Sequence, residues 1–295
     1  MQVRSNGHAQ LTSCYQCAAA GQQLNVNVNE TDWLCRHWQL KRPRLQVPSV
    51  LGAPKQSTGS VNVSRARVNC RVFVDFDGTI APADTTDLLL ERFADPAWRD
   101  IEEDWKAGRI GSRECLVRQI DLVRAFPAQL DEFIGAIAID PDFVGFAGTC
   151  ARHGHSVTVV SDGLDRTVSA VLARHGLQLS FYANHLRWQG GDRWRLTFPH
   201  ARSGCIALSG NCKCRFAEEA GSAVTIVVGD GRSDFCVAAR ADLVLAKGAL
   251  LEHCRTAGLP HFAFIDFAEA TRLLARWLET RALGVIREPV QRAED

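Results

Sequence analysis

Three apolar runs in this 295-residue chain each stop at a short turn rich in side-chain oxygens: VNCRVFVDFDGT at 68–79, HSVTVVSDG at 155–163 and AVTIVVGDGRSD at 223–234. One acidic turn alone reads as a solvated cap. Three in succession place Asp75, Asp77, Ser161, Asp230 and Asp234 where they can share one crevice, because ligands of an open parallel sheet bind outside the carboxyl ends of its strands. The chemistry that suits such a set is phosphomonoester transfer to a carboxylate, which splits one hard displacement into two easier ones. An anionic nucleophile facing an anionic phosphate is repelled by about 4 kcal/mol per charge pair at 4 Å and an effective dielectric of about 20. Cations must offset that cost. Asp75 and Asp230 offer hard oxygens suited to Mg2+. Lys213 can supply a second positive charge and Ser161 a hydrogen bond to a phosphoryl oxygen. Backbone amides around Gly78 and Gly163 can approach a phosphate closely, since glycine has no Cβ.

The surrounding pattern says what positions these groups. Unbroken apolar runs read as strands buried on both faces, as in parallel sheets; ADLVLAK and HFAFIDF add two more. Helical stretches alternate with them: Leu164, Val168, Val171 and Leu172 share a face of a helix that ends at Gly176, and Asp266 is a candidate N-cap. The expected fold class is α/β with a Rossmann-like parallel sheet. The expected catalytic core spans 67–83 and 149–285, interrupted by a helical cap over 84–148 and by a β-hairpin over 185–198 around Gly190-Gly191. Residues 1–66 read as a weakly folded or disordered extension and 286–295 as a tail. The extension carries a net +5 and the rest of the chain −4.

The four ordered elements Asp75-Phe76-Asp77-Gly78-Thr79, Ser161, Lys213 and Gly229-Asp230-Gly231-Arg232-Ser233-Asp234 resemble the motifs of the haloacid dehalogenase superfamily, in its phosphatase branch. The spacings of 86, 52, 17 and 4 residues leave room for a cap after the first motif, as in the phosphoserine-phosphatase-like subgroup. The resemblance covers about residues 68–283. It implies that Asp75 is the nucleophile and that Asp77 protonates the leaving alkoxide and then activates water. It implies further that Asp75, the Asp77 carbonyl and Asp230 hold Mg2+, with Asp234 supporting the metal site. Ser161, Gly163 and Lys213 would bind the phosphoryl group, and Thr79 would steady the first loop beside it.

The chain departs from phosphoserine phosphatases at the residues that would hold an amino acid. Gly78 follows the second aspartate where those enzymes commonly have Ser, Ala83-Asp84 follow further on, and Gln119 stands where they use an Arg; Arg118 is adjacent but points along a different direction of the helix. The first loop, the Trp98/Glu102/Trp105 helix, the hairpin ending in FP, the CKC around Lys213 and the AK after the last motif are more similar to methionine-salvage 2-hydroxy-3-keto-5-methylthiopentenyl-1-phosphate phosphatases. Phosphoserine, phosphocholine and phosphoethanolamine remain alternative substrates, with Trp98 and Trp105 as a possible aromatic wall for a cation. Their seven-residue spacing equally marks one buried helix face, the preferred reading. A non-catalytic phosphate-binding domain is the alternative from another class, and it would be expected to lack Asp75 or Asp77.

Composition narrows the partners. With 46% hydrophobic and 23% charged residues the chain reads as ordinary globular protein, and no apolar run approaches the roughly 18 residues of a membrane span. The start lacks a secretory pattern, so a cytoplasmic location is expected. A formal charge of +1 gives no electrostatic reason to expect nucleic acid. The partner expected is a small phosphorylated metabolite. Of the eleven cysteines, Cys14, Cys17 and Cys35 with His37 have partial zinc-ligand spacing, and Cys205, Cys212 and Cys214 cluster around Lys213. Both groups read more simply as reduced thiols, the second shaping a loop.

Overall fold

The computed structural model describes residues 69–205 and 207–282. The three apolar runs become neighbouring strands at the centre of a seven-stranded sheet: β1 (Cys70–Val74), β2 (Ser156–Leu164) and β5 (Val224–Gly229). β1 pairs in parallel with both others, Val72 lying between Val157 and Ile226. Successive residues point to opposite faces, and both faces are apolar. Val72, Val74, Ile226 and Val228 enter one core, whereas Phe73 packs with Phe216 and Val227 with Val244 on the other side. Burying each such side chain contributes roughly 1.5–3 kcal/mol.

The order across the sheet is β4-β3-β2-β1-β5-β6-β7, with β3 (Ser180–Gly190), β4 (Arg193–Thr197), β6 (Leu243–Ala246) and β7 (His261–Ala263). All pairs are parallel except β3–β4. The chain moves outward from β1 through β2 and β3, then crosses back to β5 and moves the other way. The carboxyl ends of β1 and β5 therefore flank a topological switch point, the place where open α/β sheets bind ligands.

Helices α1 (Thr85–Phe93), α2 (Trp98–Lys106), α3 (Ser112–Ile120) and α4 (Pro127–Gly135) follow β1 directly. Asp84 caps α1 by accepting from Thr86 N and Asp87 N, and Pro127 opens α4 where a missing N–H costs nothing. The next helix, α5 (Phe143–Arg152), runs through residue 148, where the sequence pattern suggested the insert would end. Phe143 and Phe146 pack on Phe267, with ring centroids 4.8 and 5.1 Å apart, which ties α5 to the last helix. Then come α6 (Asp165–Arg174), α7 (Lys213–Glu218), α8 (Phe235–Ala238), α9 (Gly248–Ala257) and α10 (Phe267–Ala282).

Several details differ from the sequence pattern. β2 continues through Ser161-Asp162-Gly163 to Leu164 instead of turning at Ser161, and its pairing with β3 shifts register between Val160 and Leu164. β3 begins at Ser180, well before the expected hairpin, because its first residues pair with β2. The hairpin turn falls at Gly191-Asp192, one residue beyond the expected centre, with Gly190 ending β3 opposite Arg193; both glycines are at positive φ. Trp194 of β4 donates its Nε1–H to Ala125 O at 2.8 Å, tying the hairpin to the helical insert. Only His261–Ala263 of HFAFIDF is strand, whereas Asp266 caps α10 as its position suggested, accepting from Glu269 N at 2.7 Å. Among the described residues no helix is long and apolar enough to cross a membrane. The expected extension, the tail and the Cys14, Cys17, Cys35 and His37 group lie outside the described residues.

Candidate active site

Each acidic turn sits at the end of a strand that fixes its backbone. Asp75 follows β1 immediately, its N–H still bonded to Val228 O of β5 at 2.9 Å. Asp230 follows β5, and Asp234 closes the 3-10 turn Arg232–Asp234. Lys213 opens α7 and reaches the same point. Its Nζ lies 2.8 Å from Asp75 Oδ2, 2.7 Å from Asp234 Oδ1 and 2.9 Å from Ser233 Oγ. The ammonium and both carboxyls are buried. Burial alone would lower the Lys213 pKa, but Asp234 and Asp75 reverse this and hold it protonated above its ordinary value. Burial pushes the Asp75 carboxyl well up; Asp234 adds to this, while Lys213 opposes it.

Asp77 stands apart from that ion cluster. Its Oδ1 accepts from Thr85 N at 2.8 Å and Thr85 Oγ1 at 2.5 Å, and its Oδ2 lies 3.3 Å from Ser161 Oγ. Burial, then the nearby Asp84, raises its pKa to about 7 against the lowering effect of these hydrogen bonds. A group at that value can give and take a proton near neutrality. Ser161 Oγ also accepts from Gly163 N at 2.8 Å. A Cβ on Gly163 would fall 2.3 Å from Asp77 Oδ2, so only glycine permits this closeness.

Thr79 is fully buried and directs its hydroxyl at Asp230 Oδ1, 2.7 Å away. Gly78 has φ +70°, and a Cβ there would fall 2.3 Å from Asp230 Oδ2. Burial raises the Asp230 pKa, partly opposed by the Thr79 hydrogen bond. Among the described residues, Asp75, Asp230 and Asp234 are the one group of metal-ligating side chains that offers three oxygens within 4.8 Å of one another. Three carboxylates beside one buried lysine are a hard-oxygen donor set that fits Mg2+. Asp75 and Asp234 each have both oxygens engaged: Asp75 Oδ1 accepts from Phe76 N at 2.7 Å and Oδ2 faces Lys213, while Asp234 has Oδ1 on Lys213 and Oδ2 3.3 Å from Gly231 N. Cys205, Cys212 and Cys214 are buried together beside Lys213 without forming such a group.

Three side chains at the site were given no role from the sequence: Thr85 on Asp77, Asn211 on Ser161 O at 2.9 Å, and Lys247, whose Nζ lies 3.4 Å from Thr79 O. Lys247 carried a usable signal, since it follows β6 as the aspartates follow β1 and β5. In the insert, the fully buried Gln119 donates to Glu102 Oε2 at 3.0 Å, whereas Arg118 turns out toward Asp104 and Glu114. Trp98 is buried in the core; Trp105 is half-buried, donates to Ser112 Oγ and lies under the Arg232 guanidinium.

Side-chain carboxylates gathered at a switch point, with a buried lysine among them and a helical insert after the first strand, define a carboxylate-based hydrolase on a Rossmann-like sheet. The chain belongs to the haloacid dehalogenase-like hydrolase family, whose model matches residues 72–239. It is similar to the 2-hydroxy-3-keto-5-methylthiopentenyl-1-phosphate phosphatase of Exiguobacterium sp., 32% identical over 205 residues that cover 68% of this chain and 94% of the relative. The protein of the same name from Geobacillus kaustophilus is 29% identical over 210 residues, covering 70% and 95%. A solved structure described as a phospho-aspartyl intermediate analogue of phosphoserine phosphatase matches the fold with a TM-score of 0.55 at 22% identity, covering 70% of this chain and 99% of the other. Within the family the chain stands with the phosphatases, as a phosphoric monoester hydrolase.

Proposed function

We propose that the chain hydrolyses the phosphomonoester of a small cytoplasmic metabolite with Mg2+ and an aspartyl-phosphate intermediate, and that 2-hydroxy-3-keto-5-methylthiopentenyl-1-phosphate is its substrate. The observation that carries the reading is the division of the carboxylates: Asp75 beside the Lys213 ammonium, Asp77 apart from it at a pKa of about 7. An Asp75 oxygen attacks phosphorus as the bond to the leaving oxygen breaks, and Asp77 gives that oxygen its proton. Asp77 then takes a proton from a water that attacks the phospho-aspartate, which frees inorganic phosphate and restores Asp75. Lys213, Ser161 and the Gly163 amide hold the phosphoryl oxygens. Asp75, the Asp77 carbonyl and Asp230 would hold Mg2+, with Asp234 in support; when bound, the ion supplies positive charge against the phosphate.

The substrate rests on the named relatives and on two features of the insert. Gln119 is occupied by Glu102, so the position read as a carboxylate anchor for an amino acid offers no cation. A cavity of about 700 Å3 beside the first loop is lined chiefly by apolar groups, among them Ala81, Leu88, Phe133 and Ile137, with Thr85 and the oppositely charged neighbours Glu91 and Arg92 also on its wall. Such walls suit a methylthio group better than a charged amine. The test is steady-state hydrolysis of the methylthio ester, phosphoserine, phosphocholine and p-nitrophenyl phosphate with Mg2+, for the wild type and Asp75→Asn. The methylthio ester should give the highest kcat/KM, and Asp75→Asn should abolish turnover of all four. Turnover retained by that variant would sink the mechanism, and preference for phosphoserine would sink the substrate.

A further inference from the structure

One buried polar cluster stands behind the phosphate side of the site. Asn211 is fully buried two residues before Lys213. Its side-chain amide donates to Ser161 O at 2.9 Å and Tyr182 O at 2.8 Å, and its backbone N–H donates to Asp162 Oδ1 at 2.8 Å. Asn184 joins the group by donating from Nδ2 to Asp162 O at 2.5 Å and to Asp162 Oδ1 at 3.2 Å. The cause lies in the sheet. The β2–β3 register shifts between Val160 and Leu164, and such a shift disrupts the ladder that would otherwise pair backbone groups there. Buried carbonyls without partners are costly, and the Asn211 amide supplies both donors. The same side chain thereby fastens the segment that enters Lys213 to the segment that carries Ser161.

We infer that Asn211 is a positioning residue that sets the separation of the Ser161 hydroxyl and the Lys213 ammonium, the two side-chain donors to the phosphoryl group. The inference rests on the phosphate-holding roles of Ser161 and Lys213 given above. Asn211→Ala removes both side-chain donors, and Asn211→Asp keeps the size while turning a carboxylate toward two carbonyls. Displacing catalytic groups by about 1 Å can cost on the order of 100-fold, so both variants should lose about 10- to 100-fold in kcat/KM with Mg2+ and an alkyl phosphate. Inhibition by inorganic phosphate should weaken by about tenfold, corresponding to about 1.4 kcal/mol. Trp194→Phe serves as the stability reference. It removes one buried hydrogen bond, to Ala125 O, far from Ser161 in the chain, and should lower the melting temperature while leaving both constants unchanged.

Unchanged kcat/KM and phosphate inhibition in folded Asn211→Ala, beside an inactive Lys213→Met, would overturn the positioning role and leave the site intact. Full activity in Lys213→Met would overturn the site reading and this inference with it. If Trp194→Phe lost activity in proportion to its melting temperature, the Asn211 effect would be one of stability, and the role would fall.

Discussion

Lys213→Met exposes the electrostatics of the site directly. The replacement keeps an unbranched side chain of similar length and removes the charge that lies 2.8 Å from Asp75 Oδ2 and 2.7 Å from Asp234 Oδ1. At those distances and an effective dielectric of about 20, each attraction is about 6 kcal/mol before the cost of burying the lysine is subtracted. Breaking a buried pair by removing one partner costs about 3–5 kcal/mol net. That deficit should appear in urea unfolding without Mg2+ near pH 8. It should also depend on pH with a defined sign. Asp75 already has a folded-state pKa above its unfolded value, so its carboxylate costs stability as pH rises above the ordinary carboxylate range of about 4. Without Lys213 that pKa rises further, and the mutant's deficit should widen with pH and narrow toward pH 5. Added Mg2+ should restore part of the stability and none of the turnover. A deficit of equal size at pH 5 and pH 8 would refute the charge argument, because a packing loss does not titrate.

Thr85→Val should move the acid–base residue. It deletes the hydroxyl donor to Asp77 and keeps the backbone one, and losing a hydrogen bond to a charged group, worth about 1.5–3 kcal/mol, raises the pKa by about 1–2 units. The alkaline limb of kcat/KM for an alkyl phosphate, which needs a protonated Asp77, should shift upward by that amount in a pH–rate profile; no shift would free Asp77 from the acid role. Gly78→Ala places a methyl group against Asp230 Oδ2 at a backbone angle that side chains disfavour, so the Mg2+ concentration for half-maximal rate should rise by at least about tenfold. A normal Mg2+ response would separate Asp230 from the metal.

What the sequence displayed, and what it hid, divides along a physical line. Asp75, Ser161 and Asp230 stand at or beside the ends of apolar runs, so the pattern that predicts the parallel strands also predicts that these side chains meet. Lys213 follows no strand; the need for a cation against the phosphate called for such a residue, and the family resemblance supplied its place in the motif order. Thr85, Asn211 and Asn184 carried no signal, because each acts on a carbonyl or carboxylate brought near by folding: Asn211 meets Ser161 across 50 residues of chain. The extension of β2 through Gly163 was hidden for a related reason. A polar Ser-Asp-Gly reads as a turn unless the partner strand is known, and the partner here is β3, with its register shifted. Helix α5 carried no helical reading from the sequence, and its Phe143 and Phe146 face the aromatic ring of Phe267 in α10, a contact no local periodicity encodes.

The core and the insert bear different demands, and the residues divide accordingly. In the core, the proposed transfer of charge from phosphate ester through an aspartyl-phosphate to inorganic phosphate would fix the donors tightly. Asp75, Lys213 and Asp234 are locked by strands and ion pairs, and Gly163 and Gly78 sit where even a methyl group would strike a carboxyl oxygen. The insert needs only to present a wall to the leaving group, so its polar residues are free to satisfy one another, as Gln119 and Glu102 do. Thr85 joins the two parts. Its hydroxyl and N–H hold Asp77, the acid–base residue of the proposed mechanism, while the residue opens α1 and lines the cavity. In the proposed mechanism, a leaving group seated in that cavity would bear on Asp77 as well, which would link substrate shape to proton transfer without altering Asp75.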